Sequence, residues 1–272
     1  MTALEKENAL KALIAGYGTL AIGYSGGVDS AYLADVAHET LGAKAHMVIA
    51  DSPSIPRDEL EEARRIALDR GWNLSIIETR EFEKEEFLRN DPMRCYVCKS
   101  DFFEHLHAYA QTHGIAVLAY GENADDGQDL TRQGAKAARE QRVKAPLVDA
   151  GFSKEDIRER SRERGLPTWN KASFACLSSR FPAGSRLNPE EVLKVERAEQ
   201  LLRKLGFRQY RARHHGELCR IEVEVQDFEQ LLQPNTRETL IEGLRKVGYR
   251  HVTLDLAGYR TGSTAASPVV SA

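Results

Sequence analysis

The chain has 272 residues, 42% of them hydrophobic, enough for one large or two modest domains with ordinary cores. Its formal net charge of -3, from 38 Lys and Arg against 41 Asp and Glu, offers no general attraction for a polyanion, and no apolar run approaches a membrane span. The acidic start Met1-Thr2-Ala3-Leu4-Glu5-Lys6-Glu7 has no leader character, so a cytoplasmic enzyme without nucleic-acid or membrane partners is expected, and its four cysteines should be reactive or metal-binding rather than disulfide-bonded.

Residues 5–17 place Ala9, Leu10, Leu13 and Ile14 at helical spacing and stop at Gly18. A short apolar strand over 20–23 follows. It breaks at Ser25-Gly26-Gly27 and passes through Asp29 and Ser30 into a helix with Leu33, Val36, Ala37 and Leu41 on one face. Paired glycines let backbone N–H groups converge, Ser25 and Ser30 add hydroxyl donors, and the helix N-terminus brings partial positive charge. Strand, turn and helix are therefore shaped to hold a phosphate, with Gly23, Ser25, Gly26, Gly27, Asp29 and Ser30 as the candidate nucleotide contacts. The turn contains no lysine and is not a Walker A loop.

A second strand over 45–50 ends in Asp51-Ser52-Pro53. In open α/β sheets ligands sit at the carboxyl edge, which makes Asp51 and Ser52 candidates for the adenine and ribose side; an ordinary turn explains them equally well. A helix over 57–70 and strands over 74–78 and 116–121 complete an alternation that indicates a doubly wound parallel α/β sheet. After the fourth strand, Gly121-Glu122-Asn123-Ala124-Asp125-Asp126 gathers hard oxygen donors. Asp125 and Asp126 are the candidates for Mg²⁺, and Gly121 and Asp126 for the nucleotide, against the alternative of a plain acidic turn. Lys136, Arg139, Arg142 and Lys144 form a basic stretch that reads as a solvated helix face, one member of which could meet a triphosphate. Ser153-Lys154-Glu155-Asp156 opens a helix with a capping box.

Four segments are expected: an α/β domain over 1–168, a loop over 169–187, a smaller α+β domain over 188–260, and a disordered tail over 261–272. The loop has neither helical nor strand period and carries Cys176, Ser179 and Arg180, so it reads as a functional hinge. In the last domain Asn188-Pro189 caps a helix, and two strands flank His215-Gly216-Glu217. A helix over 236–247 then leads to a strand over 249–256 with Val252, Leu254 and Leu256 on one face. Arg211 and Arg213, two apart on a strand, present forked donors for phosphate or carboxylate; a solvated hairpin face is the alternative. Glu196 and Glu199 read as solvent charges, and Asp227 with Gln230 as a capping box.

Cys95 and Cys98 stand just before a helix expected over 99–113, where a thiol pKa is lowered; the pair could be redox-active, half a zinc site or half an iron–sulfur site. Cys176 could add a third thiolate, whereas Cys219 shares strand parity with Ile221 and Val223 and reads as core. Three thiolates without a fourth favour a cluster with one open iron over closed zinc, unless His105, His107 or His113 completes a zinc site.

The string SGGVDS at 25–30 matches the PP-loop signature of ATP pyrophosphatases. Together with GENADD at 121–126, RCYVCK at 94–99, NKASFACLSSRFP at 170–182 and the RARHHGELCRIEV segment at 211–223, it makes the chain resemble the LarE family up to about Gly258. The resemblance implies a Rossmann-like PP-loop fold of the adenine nucleotide alpha hydrolase kind. It also implies a homo-hexamer, ATP with Mg²⁺, and sulfur insertion into pyridinium-3,5-biscarboxylic acid mononucleotide for a nickel-pincer cofactor. The catalytic residues it implies are Cys176, Cys95 and Cys98, and the substrate contacts Ser179, Arg180, Arg211 and Arg213. Family members either sacrifice the sulfur of a lone cysteine matching Cys176, leaving dehydroalanine, or carry sulfide on a [4Fe-4S] cluster. Having Cys95 and Cys98 as well, this chain resembles the second kind. A PP-loop tRNA thiolase would share the loop and the cysteines but would need a basic, aromatic-rich surface, an amidating synthetase would have no use for three thiols, and a nucleotide sensor would release no pyrophosphate.

Overall fold

The computed structural model describes residues 1–126, 133–172 and 175–260. The chain divides into two compact units, residues 1–81 with 95–174, and residues 82–94 with those from 175 onward. Among the described residues no helix is long and apolar enough to cross a membrane.

The first unit is built on a parallel sheet of β1 (Leu20–Gly23), β2 (Ala45–Asp51), β3 (Asn73–Glu78) and β4 (Val117–Tyr120), in the order β3-β2-β1-β4. The helices around it are α1 (Ala3–Ala15), α2 (Val28–Leu41), α3 (Arg57–Asp69), α5 (Arg94–Thr112), α6 (Gln133–Glu140), α7 (Pro146–Asp149) and α8 (Lys154–Glu163), while α4 (Glu85–Leu88) falls in the second unit. Successive strand side chains point to opposite faces. Leu20, Ile22, Met47 and Ile49 accordingly enter one core, with Leu10, Leu33, Ala63 and Ile157 from α1, α2, α3 and α8. Ala21, Val48 and Leu118 enter the other, against Phe102, Phe103 and Leu106 of α5 and Ala137 of α6. Helices on both faces of a parallel sheet are the doubly wound α/β architecture read from the sequence. The chain winds from β1 outward to β3 and returns on the other side of β1 at β4. The carboxyl ends of β1 and β4 therefore form the topological switch point, where such folds open a crevice.

Helix α1 starts earlier than its apolar spacing predicts, because Thr2 and Glu5 form a capping box. Its Glu7, 2% exposed, accepts from Arg160 Nε (2.9 Å), Arg164 Nη1 (3.0 Å) and the Tyr32 hydroxyl (2.8 Å), tying α1, α2 and α8 into one layer.

In the second unit, β5 (Tyr210–His215) and β6 (Leu218–Val223) form an antiparallel hairpin, and β7 (His251–Leu254) runs parallel to β6. Helices α9 (Pro189–Lys204), α10 (Phe228–Leu232) and α11 (Pro234–Val247) accompany them. Ala198 and Leu202 of α9 pack with Ala212, Cys219, Ile221 and Leu244 in a separate core, so Cys219 is the core residue its strand parity predicts. Leu256 is not: it lies beyond β7 and is 81% exposed. Nor does Asp227 cap a helix with its side chain. A 3₁₀ turn over Val225–Asp227 leaves it with helical rather than extended torsions, and Gln230 donates to the Leu205 carbonyl instead (3.0 Å).

Residues 82–94, which the sequence reading assigns to the first domain, are stitched into the second unit. The Leu187 N–H donates to the Leu88 carbonyl (2.8 Å), the Gly184 N–H to Asn90 O (2.9 Å), and Asn90 Nδ2 to Pro182 O (2.8 Å). The expected tail over 261–272 and residues 173 and 174 of the expected loop lie outside the described residues.

Candidate nucleotide site and cysteine-bearing segments

Between β1 and α2 the glycine turn is laced shut by its two serines. The Ser25 N–H donates to Ser30 Oγ (3.1 Å), Ser30 Oγ donates to the Gly27 carbonyl (3.2 Å), and the two hydroxyl oxygens lie 3.0 Å apart. Since the Ser30 proton is directed to Gly27, Ser25 donates in the hydroxyl pair. Gly26 has φ +71° and packs so tightly on α3 that a Cβ there would stand 2.7 Å from Ala63 Cβ. Gly121 carries the switch point. A Cβ on it would lie 2.6 Å from the Ser30 nitrogen, so only glycine lets the segment after β4 lie against the turn's backbone. Gly23 has a packing role as well, with Phe102 filling the space its Cβ would need.

The segment after β4 is organised by Asn123, which is 2% exposed. Its Oδ1 accepts the N–H groups of Asp125 and Asp126 (3.0 Å each), and its Nδ2 donates to Asp126 Oδ2 (2.8 Å) and to Asp29 Oδ2 (3.2 Å). One amide thus gathers the acidic segment beside the first turn of α2. Sequence reasoning missed the cation that completes the cluster. Lys154, the first residue of α8, places Nζ 2.7 and 2.8 Å from the two oxygens of Asp29, and its backbone N–H donates to Asp125 Oδ2 (2.8 Å). Read along the chain, Lys154 is one member of a capping box; only folding brings it to a turn that has no lysine of its own. Of the basic stretch singled out in the sequence, Lys144 serves the sheet through its backbone, taking a parallel bridge beside Ala119.

At the end of β2, Asp51 pairs with Arg57, whose Nη2 also donates to the carbonyls of Ser52 (2.6 Å) and Ile55 (2.9 Å). The Ser52 hydroxyl donates to Glu81 and accepts from the Ser54 N–H (3.0 Å). Both side chains shape the connection from β2 to α3. Glu81, 1% exposed and absent from the sequence candidates, is the buried partner that holds Ser52, and its second carboxylate oxygen has no hydrogen-bond partner among the described residues.

Cys95 and Cys98 are not ahead of a helix but inside one, because α5 begins at Arg94. Three residues apart, they share a face, with Cys95 exposed and Cys98 half-buried. His105, His107 and His113 each place a ring nitrogen on a backbone carbonyl, of Asp101 (2.8 Å), Gln141 (2.9 Å) and Tyr109 (2.8 Å). Among the described residues no group of three His, Cys, Asp or Glu side chains converges as a metal centre.

In the second unit, half-buried Cys176 precedes a 3₁₀ turn, Leu177–Arg180, and the side chain that holds this turn is Arg180. Fully buried, Arg180 forks onto Glu199 (Nε to Oε1 2.7 Å, Nη2 to Oε2 3.0 Å), while Nη1 donates to the carbonyls of Ala175 (3.0 Å) and Cys176 (3.3 Å) and to Ser179 Oγ (2.7 Å). Glu199 also accepts the Ala212 N–H (3.0 Å); it and Glu196 are 4% and 6% exposed, not the solvent charges that α9's pattern suggests. Arg213 forks onto fully buried Glu222 (3.0 and 2.8 Å) and donates to the Ser179 carbonyl (2.9 Å). Arg211 lies over the Tyr259 ring, 4.9 Å from its centroid, and donates to the Tyr210 carbonyl (2.6 Å). Burial first, and then the neighbouring Arg180 guanidinium, push its pKa below the usual arginine value.

A parallel sheet with a serine-laced glycine turn at its switch point defines an α/β protein of PP-loop type. No protein-family model matches the chain. An uncharacterised protein of Synechocystis is 39% identical over 241 residues, 89% of this chain and 90% of that one. The pyridinium-3,5-bisthiocarboxylic acid mononucleotide synthase of Lactiplantibacillus plantarum is 32% identical over 262 residues, covering 96% and 94% of the two chains. An uncharacterised protein of Methanocaldococcus jannaschii is 29% identical over 240 residues, 88% and 90%. The chain belongs to the LarE family.

Proposed function

We propose that the protein is an ATP-dependent sulfur transferase that adenylates a carboxylate of pyridinium-3,5-biscarboxylic acid mononucleotide and replaces AMP with sulfur, giving a thiocarboxylate for a nickel-pincer cofactor. The observation that carries this reading is the laced glycine turn at residues 25–30, set at the switch point of a chain whose relative bears that synthase name. Converging N–H groups at a helix N-terminus suit a pyrophosphate that gains negative charge as it leaves.

In this scheme a substrate carboxylate oxygen bonds to the α-phosphorus of ATP, the bond to the β-bridging oxygen breaks, and pyrophosphate departs into the turn. Asp29, Asp125 and Asp126 offer the hard oxygens that Mg²⁺ takes, and the ion would neutralise phosphate charge when bound. A sulfide sulfur then bonds to the acyl carbon and the bond to AMP breaks, with no redox change at carbon. Cys95, Cys98 and Cys176 offer the soft thiolate donors that iron takes, the first two on one helix face, whereas Cys219 is buried in a core. These three would hold a [4Fe-4S] cluster, which when bound would carry the sulfide.

Arg211 is assigned to the substrate's phosphate, because a dianion beside a buried guanidinium relieves the cost of keeping it charged. Ser179, Arg180 and Arg213, joined to one another through Ser179, are assigned to the same substrate. Residues 1–168, apart from the 82–94 segment stitched into the second unit, would act as the ATP domain, 169–187 as the cysteine-bearing connection, and 188–260 as the substrate and oligomerisation domain of a cytoplasmic homo-hexamer.

The test is anaerobic incubation of the protein with ATP, Mg²⁺, sulfide and the biscarboxylic mononucleotide. AMP and pyrophosphate formed one-to-one with thiocarboxylate, over several turnovers per chain, are expected. A single turnover with Cys176 converted to dehydroalanine would replace the cluster scheme by the sacrificial one, and absence of pyrophosphate would sink the reading.

A further inference from the structure

Asp29 sits in the first turn of α2, at the helix end whose dipole favours an anion, yet its carboxylate is taken by an ammonium from 125 residues further along the chain. Both Asp29 oxygens face Lys154 Nζ, and Oδ2 also takes Asn123 Nδ2 (3.2 Å). The lysine is anchored from below. Its own N–H is bonded to Asp125 Oδ2 (2.8 Å), and the capping box of Ser153 and Asp156 fixes where α8 starts. The side chain above that anchor is 39% exposed and that of Asp29 14%, so solvent reaches the pair from the lysine side. A four-carbon stem on a fixed base can trade one oxyanion for another nearby without moving the backbone.

We propose that Lys154 is an exchangeable cation of the nucleotide site. In this structure it neutralises Asp29; with Mg·ATP bound, Asp29 would be free to hold the ion and Lys154 would turn to the departing phosphates. The proposal rests on the ATP-cleaving reading given above. It accounts for two observations together: hard oxygens gather around Asn123 beside the turn, and one of them, Asp29, already has both its oxygens on an ammonium. It also supplies a lysine to a turn whose sequence has none.

The test separates metal binding from turnover. Mn²⁺, as an EPR probe for Mg²⁺, is titrated into the full-length protein without nucleotide, comparing wild type with Lys154→Met and Lys154→Arg. Lys154→Met should bind Mn²⁺ on the order of fivefold tighter, because the competing ammonium is gone, while Lys154→Arg should match wild type. In the presence of saturating Mn²⁺, ATP affinity read by calorimetry should weaken on the order of tenfold in Lys154→Met and be largely restored in Lys154→Arg. Equal Mn²⁺ affinity in wild type and Lys154→Met, no measurable Mn²⁺ binding by either, or unchanged ATP affinity overturns the exchange. Because neither readout needs thiocarboxylate or pyrophosphate, a protein that makes no product while passing both would lose the proposed reaction and keep the exchangeable lysine. Asp29→Asn, which removes the common partner, should abolish the difference between wild type and Lys154→Met; persistence of that difference also overturns the proposal.

Discussion

Arg180 and Glu199 form a doubly hydrogen-bonded ion pair beneath Cys176, with the arginine wholly buried and its third nitrogen holding the Ala175 and Cys176 carbonyls. A buried pair of this kind adds little net stability when intact, but removing one partner strands the other charge away from water. Arg180→Ala should therefore lower unfolding stability by about 3–5 kcal/mol. Arg180→Lys keeps a charge but loses the fork that reaches Glu199 and the loop carbonyls together. Urea denaturation of both variants checks the first effect. Differential alkylation of Cys176 checks the second, with faster labelling expected once its carbonyl is released.

Glu7 should make the fold acid-sensitive in a defined window. Burial alone would raise its pKa, but hydrogen bonds from Arg160, Tyr32 and Lys11 outweigh that and lower it from 4.5 to about 2. A carboxylate whose folded pKa is depressed contributes stability above its unfolded pKa and loses it as pH falls. The contribution is thus complete above about pH 4.5 and fades toward pH 2. Glu7→Gln should cost about 2–3 kcal/mol at neutral pH and flatten the stability profile below pH 4.5. Thermal melts between pH 2 and 7 read both.

Gly121→Ala should damage the proposed nucleotide site more than the fold. The added methyl would press on the Ser30 nitrogen and shift the glycine turn, with a packing cost of about 1–3 kcal/mol. Displacement of reacting groups by an ångström should lower the proposed pyrophosphate release on the order of 100-fold. Pyrophosphate release measured beside the urea midpoint tells the two effects apart.

The four thiols should differ in accessibility. Cys95 is exposed and should react first with an alkylating agent in folded protein stripped of iron. Cys219 is buried, and its pKa is pushed up to about 12 by burial and then by Glu199, so it should react only after unfolding. Under anaerobic conditions, iron and acid-labile sulfide should accompany the wild type and fall away in each of Cys95→Ala, Cys98→Ala and Cys176→Ala. Retention of iron by any one of these variants argues against three-thiolate binding.

The sequence alone determined the parallel α/β sheet, the glycine turn between strand and helix, and the burial of Cys219. Each of these follows from local signals: apolar runs of strand length, the backbone freedom of glycine, and period-two parity along a strand. It placed Cys95 and Cys98 beside a helix but not inside it, passing over Asp91-Pro92, where Asp91 Oδ1 accepts the Met93 N–H (2.8 Å) just ahead of the helix start at Arg94.

Only the tertiary structure decided which charges are spent and on whom. Glu199 reads as solvent-facing until α9 is set against Arg180, Arg213 reads as an open fork until the hairpin register brings Glu222 beside it, and Lys154 reads as a helix cap until α8 lies next to Asp29. The physical reason is common to all three. Secondary structure is encoded by spacing over a few residues, whereas an ion pair is encoded by three-dimensional proximity between side chains that the chain keeps 9 to 125 residues apart.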